Sequence, residues 1–210
     1  MSSLINVQPL EATLTSVWML QPEYRSLRQA LESKGYTIKD QTRGSLIQIA
    51  TKGSIEIFSN IERRTIGIGS ETSTRDLLIA SEDLEQIYKE MGIEESNLLI
   101  YEFIGTFSAT STSSPLEKFK KLPIEQSFLR KIGSIMDADL VPLGLDLTKK
   151  DSLPTSPNFL QITIEPLYPS ANTKFLIRTI YRGSKEEVIS FIKKIDNRLK
   201  KVIEEIEGVI

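Results

Sequence analysis

One succession of patterns occurs twice along this 210-residue chain, and it constrains the fold more than any other feature. In the first half, Thr13 to Met19 reads as a strand. Pro22, Tyr24, Leu27, Ala30 and Leu31 follow as an amphipathic helix that ends at Gly35. Ser45 to Ile49 opens a strand, Ser54 to Phe58 alternates apolar and polar residues as a half-buried strand does, and Thr65 to Ile68 follows a turn at 60–64. A helix near Thr74 then closes the half, with Ser73 placed to cap it.

The second half runs in parallel. Leu98 to Phe107 is its first strand, and Ser114-Pro115-Leu116-Glu117 has the form of a capping box with proline in the first turn. Pro123 should interrupt that helix and Ile124 to Ile132 resume it. Val141 to Leu147 and Asn158 to Ile162 read as strands, the latter leading into Leu160, Ile162 and Ile164 on one face. Lys174 to Tyr181 is the last strand, and a long helix begins at Ser184.

This order predicts the α+β class: two similar β-α-β(3–4)-α halves whose antiparallel sheet is packed by long helices. The natural division lies at the polar run Ser108 to Ser114, separating residues 1–109 from 110–210, or the halves form one continuous domain. The element order resembles the duplicated fold of the TATA-binding-protein family and, less closely, other helix-grip folds. The aromatic pairs with which that family wedges DNA have no counterpart on these predicted strands, so DNA bending does not follow from the resemblance. The alternative is an independent α+β fold with accidental symmetry.

The final helix carries the strongest periodicity. Val188, Ile192, Ile195, Leu199, Val202, Ile206 and Val209 follow one another at alternating steps of four and three, and Ile189, Ile203 and Ile210 widen the stripe. Such a stripe packs along the chain's own sheet or forms a homodimer interface. Ser184 and Glu187 make a capping box at its start. Lys193, Lys194, Arg198, Lys200 and Lys201 lie on the polar side as a solvated face or a phosphate-contacting strip.

The chain contains no histidine and no cysteine, which removes imidazole bases, thiolate nucleophiles and the usual zinc ligands. No disulfide framework can form, no apolar run is long enough to cross a bilayer, and a cytoplasmic location is expected. Abundant isoleucine with lysine and glutamate gives a thermophile-like composition. Residues 1–110 carry a net charge of −5 and residues 111–210 one of +3, so any nucleic-acid surface would be local to the C-terminal half.

Three further groups bear on chemistry. Asp137 and Asp139, with Asp146 and Asp151 downstream, form the densest carboxylate group, which reads as a solvated loop edge or a Mg²⁺ site. Gly67-Ile68-Gly69-Ser70 reads as a strand end with close backbone packing, since Thr72 stands where a dinucleotide fingerprint needs glycine. Arg63 and Arg64 occupy a hairpin turn and could bind a phosphate or carboxylate.

No cofactor is implied. The favoured function is therefore a non-catalytic binding or assembly protein, acting through an apolar helix-sheet groove or a dimer surface. Its partner is a second copy, another protein, an apolar small molecule or nucleic acid. A carboxylate- and Mg²⁺-dependent enzyme using Asp137 and Asp139 is the alternative.

Overall fold

A computed structural model describes residues 5–19, 22–60, 62–122 and 124–208. Among them nine strands form one antiparallel sheet. The first half contributes β1 (Val7–Trp18), α1 (Tyr24–Ser33), β2 (Thr37–Arg43), β3 (Leu46–Lys52), β4 (Ile55–Asn60), β5 (Thr65–Ser70) and α2 (Thr74–Glu90). The second contributes β6 (Leu98–Thr110), α3 (Pro115–Lys120), α4 (Gln126–Met136), β7 (Leu145–Thr148), β8 (Phe159–Pro166), β9 (Lys174–Gly183), α5 (Lys185–Ile192) and α6 (Ile195–Gly208). The strand order is β2-β3-β4-β5-β1-β6-β9-β8-β7. Each half therefore returns its last strand beside its first, and the two halves meet at β1 and β6.

That seam is long. β1 pairs with β6 from Val7↔Ala109 to Trp18↔Leu98, with shifts between Pro9 and Glu11 and between Val17 and Trp18. Pro9 is tolerated because β5 pairs with β1 only from Ala12 to Val17, so proline's missing donor falls where β1 has one neighbour. The polar run beginning at Ser108 is not wholly a connector. Ser108, Ala109 and Thr110 are the end of β6, paired with Leu176, Phe175 and Lys174 of β9, and the 109/110 division falls inside that strand.

Side-chain alternation puts the core on one face of the sheet. Leu14, Ile57, Ile68, Phe103, Phe107, Phe175 and Ile177 are buried beneath the helices, together with Leu77, Ala80, Leu84 and Ile87 of α2. The glycine at 105 follows from this packing. A Cβ there would stand 2.6 Å from the Phe107 ring and 2.7 Å from that of Phe103.

The long C-terminal helix is corrected to two pieces, because the helix is interrupted between α5 and α6 at Lys193 and Lys194. Its apolar stripe spans the break. Val188, Ile192, Ile195, Leu199 and Ile206 are buried in the chain's own core and Val202 is half-buried against it, so of these interface candidates only Val202 keeps appreciable surface. Val209 and Ile210 lie outside the described residues. The capping box at Ser184 is present: the Glu187 amide donates to Ser184 Oγ and the Ser184 amide to Glu187 Oε2. The box expected at Ser114 does not close, since Ser114 Oγ instead donates to Asn172 Oδ1 at 3.2 Å and Glu117 pairs with Lys120 at 2.7 Å. The helix still begins at Pro115, and Pro123 lies outside the described residues.

Two segments differ from expectation. β2 was not anticipated because Ile38 is its one apolar residue and its register breaks between Ile38 and Gln41, around a left-handed Asp40. The strand expected from Val141 begins only at Leu145.

Glu207 ties α6 to α3 and the segment before it. Lys118 Nζ lies 2.9 Å from its carboxylate, with side chains only 4% and 10% exposed respectively, and Ser111 Oγ and Thr112 Oγ1 donate to it as well. Burial pushes the carboxyl pKa up, but these hydrogen bonds and the lysine outweigh it and hold the group below its ordinary value. A depressed carboxyl pKa contributes stability that is complete above the unfolded value and is lost as pH falls through the folded one. Glu207→Gln should therefore cost about 1–3 kcal/mol at neutral pH and flatten the acid limb of stability against pH, both readable by urea denaturation. Gly105→Ala should cost about 1–3 kcal/mol by overpacking; a loss within error would show that the two phenylalanine rings are not held.

Candidate functional site

The best-defined site lies between α2 and the sheet, where side chains of β1, β5, β6 and α2 leave a cavity of about 70 Å³. This is several times the ~10–15 Å³ that one water requires. Leu14, Ile66, Ile68, Leu84 and Leu98 supply apolar wall. Trp18, the chain's one tryptophan, and Tyr88 meet there edge-to-face with centroids 4.7 Å apart.

Local structure explains why these groups converge. Alternation on β1 sends Leu14, Ser16 and Trp18 to the helix side, and Tyr101 of β6 points the same way. On α2, Ser81, Leu84 and Tyr88 follow one another at steps of three and four, which puts them on one helix face.

The polar atoms of the wall are unevenly satisfied. Trp18 Nε1 donates to Ser16 Oγ at 2.8 Å, and Ser16 Oγ donates to the Ile66 carbonyl at 3.0 Å. Ser81 and Tyr101 share one hydrogen bond of 2.9 Å. The Tyr88 hydroxyl is buried with no partner in hydrogen-bond geometry, although Ser16 lies nearby. Burial raises the phenol pKa of both Tyr88 and Tyr101, so both remain protonated donors at neutral pH.

Charges ring the rim. Lys185 Nζ at the start of α5 lies 3.0 Å from Glu85 and 3.4 Å from Glu95, and Lys89 lies 3.0 Å from Glu85. Hydrogen bonds from Lys185 and Lys89 lower the Glu85 pKa. For Lys185, desolvation pulls the pKa down but the two glutamates outweigh it and raise it. The rim is a balanced ion network and the interior is mainly apolar.

The other sequence-predicted groups fall elsewhere. Asp137 is not on an extended segment: it is the left-handed C-cap of α4, and Asp139 follows in an exposed loop. The chain crosses back over α4 so closely that a Cβ at Gly133 would sit 2.5 Å from the Ala138 carbonyl oxygen. Asp146 on β7 accepts from Gln161 and Thr163 across the β7/β8 pair, and Asp151 sits in a turn. Among the described residues no three acidic side chains converge to hold a metal ion.

The basic strip is divided by the helix break. Lys193, Lys194 and Lys201 are exposed, Arg198 lies over the Phe191 ring at 5.2 Å, and Lys200 pairs with Glu204 at 4.0 Å. Gly67 and Gly69 lie within β5, where the Phe58 ring covers Gly67 so closely that a Cβ would be 2.1 Å from it. Close backbone packing, not an anion cradle, accounts for that glycine. Arg64 reaches the Met19 carbonyl from its turn at 3.1 Å.

Double substitution of Asp137→Asn and Asp139→Asn should move the melting temperature by no more than about 2 °C, as exposed sites do. Added Mg²⁺ should stabilise neither form saturably; a saturable, Mg²⁺-specific rise lost in the double variant would restore the metal-site reading.

No family model matches the chain, and no curated protein is significantly similar to it. Among solved structures it is similar to the TBP of Methanococcus jannaschii, at 12% identity over 97% of this chain and 98% of the other, with a TM-score of 0.34. It is also similar to the regulatory subunit of aspartate kinase from Thermus flavus, at 12% identity over 96% and 95% of the two chains, with a TM-score of 0.26. With TM-scores this low, neither likeness says what this chain binds.

Proposed function

We propose that this chain is a non-catalytic binding protein that holds a small apolar molecule in the cavity between α2 and the sheet. The observation that carries this reading is an apolar void beside a buried hydroxyl without a partner, in a helix-sheet layer that is otherwise closely packed. A layer selected for stability alone would fill such a gap with a larger side chain. Trp18 in the wall makes the test direct. Titration with methylenecyclopentane, a compact hydrocarbon, should shift Trp18 emission saturably and raise the melting temperature with ligand concentration. Unchanged emission and melting at the solubility limit would contradict the proposal.

A separate observation favours self-association. On α4, Phe128, Ile135 and Met136 are 55%, 78% and 64% exposed, and Val141, Leu143 and Leu147, in the segment that leads into β7 at the outer edge of the sheet, are exposed as well. The same segment carries exposed Arg130 and Lys131 together with Asp137 and Asp139. Charges of both signs on one segment suit an isologous contact with a second copy, in which each sign meets its opposite. The homodimer is therefore proposed through α4 and the β7 edge. Sedimentation should give twice the 23.7 kDa chain mass, and Ile135→Ser with Met136→Ser should yield monomer without loss of melting temperature. A wild-type monomer at high micromolar concentration would refute it.

A further inference from the structure

Resting on the small-ligand reading, we infer that the cavity's ligand is an uncharged, ring-sized apolar molecule bearing one hydrogen-bond acceptor, of the ketone, ester or ether class. Ser16 and Trp18 Nε1 each donate to a protein acceptor. Ser81 and Tyr101 satisfy each other through one shared hydrogen bond. The Tyr88 hydroxyl, by contrast, has no partner in hydrogen-bond geometry.

The Tyr88 hydroxyl is thus the polar group of this wall that lacks a partner, and a ligand with an acceptor oxygen would take its proton where a hydrocarbon would not. Charge is disfavoured for a separate reason. The rim lysines are already engaged by Glu85 and Glu95, so an ionised ligand would have to break that network or sit unpaired in apolar surroundings. Size follows from the 70 Å³ of space, which at ~10–15 Å³ per water-sized group holds no more than about five or six heavy atoms and so excludes a nucleotide or a lipid chain.

Two isosteric probes test the inference: cyclopentanone, which carries the acceptor, and methylenecyclopentane, which replaces the oxygen by a carbon. Each is titrated calorimetrically into the full chain and into Tyr88→Phe. Removal of the hydroxyl should weaken cyclopentanone about five- to tenfold, the equivalent of one hydrogen bond, while methylenecyclopentane changes by less than twofold.

Tyr88→Phe without ligand should also melt about 2–4 °C higher than the parent, because it removes a buried donor that has no partner. If the substitution affects both probes alike, or leaves cyclopentanone unchanged, the acceptor requirement is wrong although the cavity binds. If neither probe binds the parent protein, the small-ligand reading itself falls. A lower melting temperature or failure to fold in Tyr88→Phe would overturn the inference, since it would mean that the hydroxyl has a structural partner.

Discussion

The antiparallel pairing of β1 with β6 is the constraint on which the remainder of the molecule depends. Each half winds its strands outward from that seam, β5 and the strands beyond it on one side and β9, β8 and β7 on the other. Because the pairing extends almost the full length of both strands, the helix-facing residues of the two halves form one continuous surface. Phe103 and Phe107 of the second half thereby enter the same core as Leu14, Ile57 and Ile68 of the first. Loss of this register by one residue would invert every side chain on a strand and send Tyr101, Phe103 and Phe107 to the uncovered face.

The cavity is a consequence of that seam. Its walls come from both halves: Trp18, Ile66 and Tyr88 from the first, Leu98, Tyr101 and Lys185 from the second. Ion pairs between Lys185 and the two glutamates close the same junction at its rim. The binding site proposed here therefore exists only where the two halves meet, and a cavity with one unpartnered hydroxyl is tolerated because the surrounding layer is well buried.

Much of the architecture was legible in the sequence because periodicity reports directly on which face is buried. The alternation at Ile55 and Ile57, the run from Leu98 to Phe107 and the stripe from Val188 to Ile206 each correspond to a core-facing surface. What periodicity cannot report is the partner of a polar group. Ser184 and Ser114 precede helices with the same capping-box spacing, yet one box closes and the other does not, because Asn172 competes for Ser114. β2 escaped notice for the opposite reason: an edge strand with polar residues on both sides has no period to detect.

The candidate site was less legible than the fold. Ser81, Leu84 and Tyr88 look like any amphipathic helix until β1 and β6 bring Trp18 and Tyr101 against them, and that meeting is tertiary. Glu207 likewise owes its partners to tertiary structure, since Lys118 and Ser111 reach it from distant positions in the chain. The small-ligand account is tested most directly by diffraction from crystals pressurised with xenon, which enters apolar cavities without hydrogen bonding. The account predicts a xenon peak bounded by Trp18, Ile66, Leu84 and Tyr88; an unoccupied, collapsed gap at that position would contradict it.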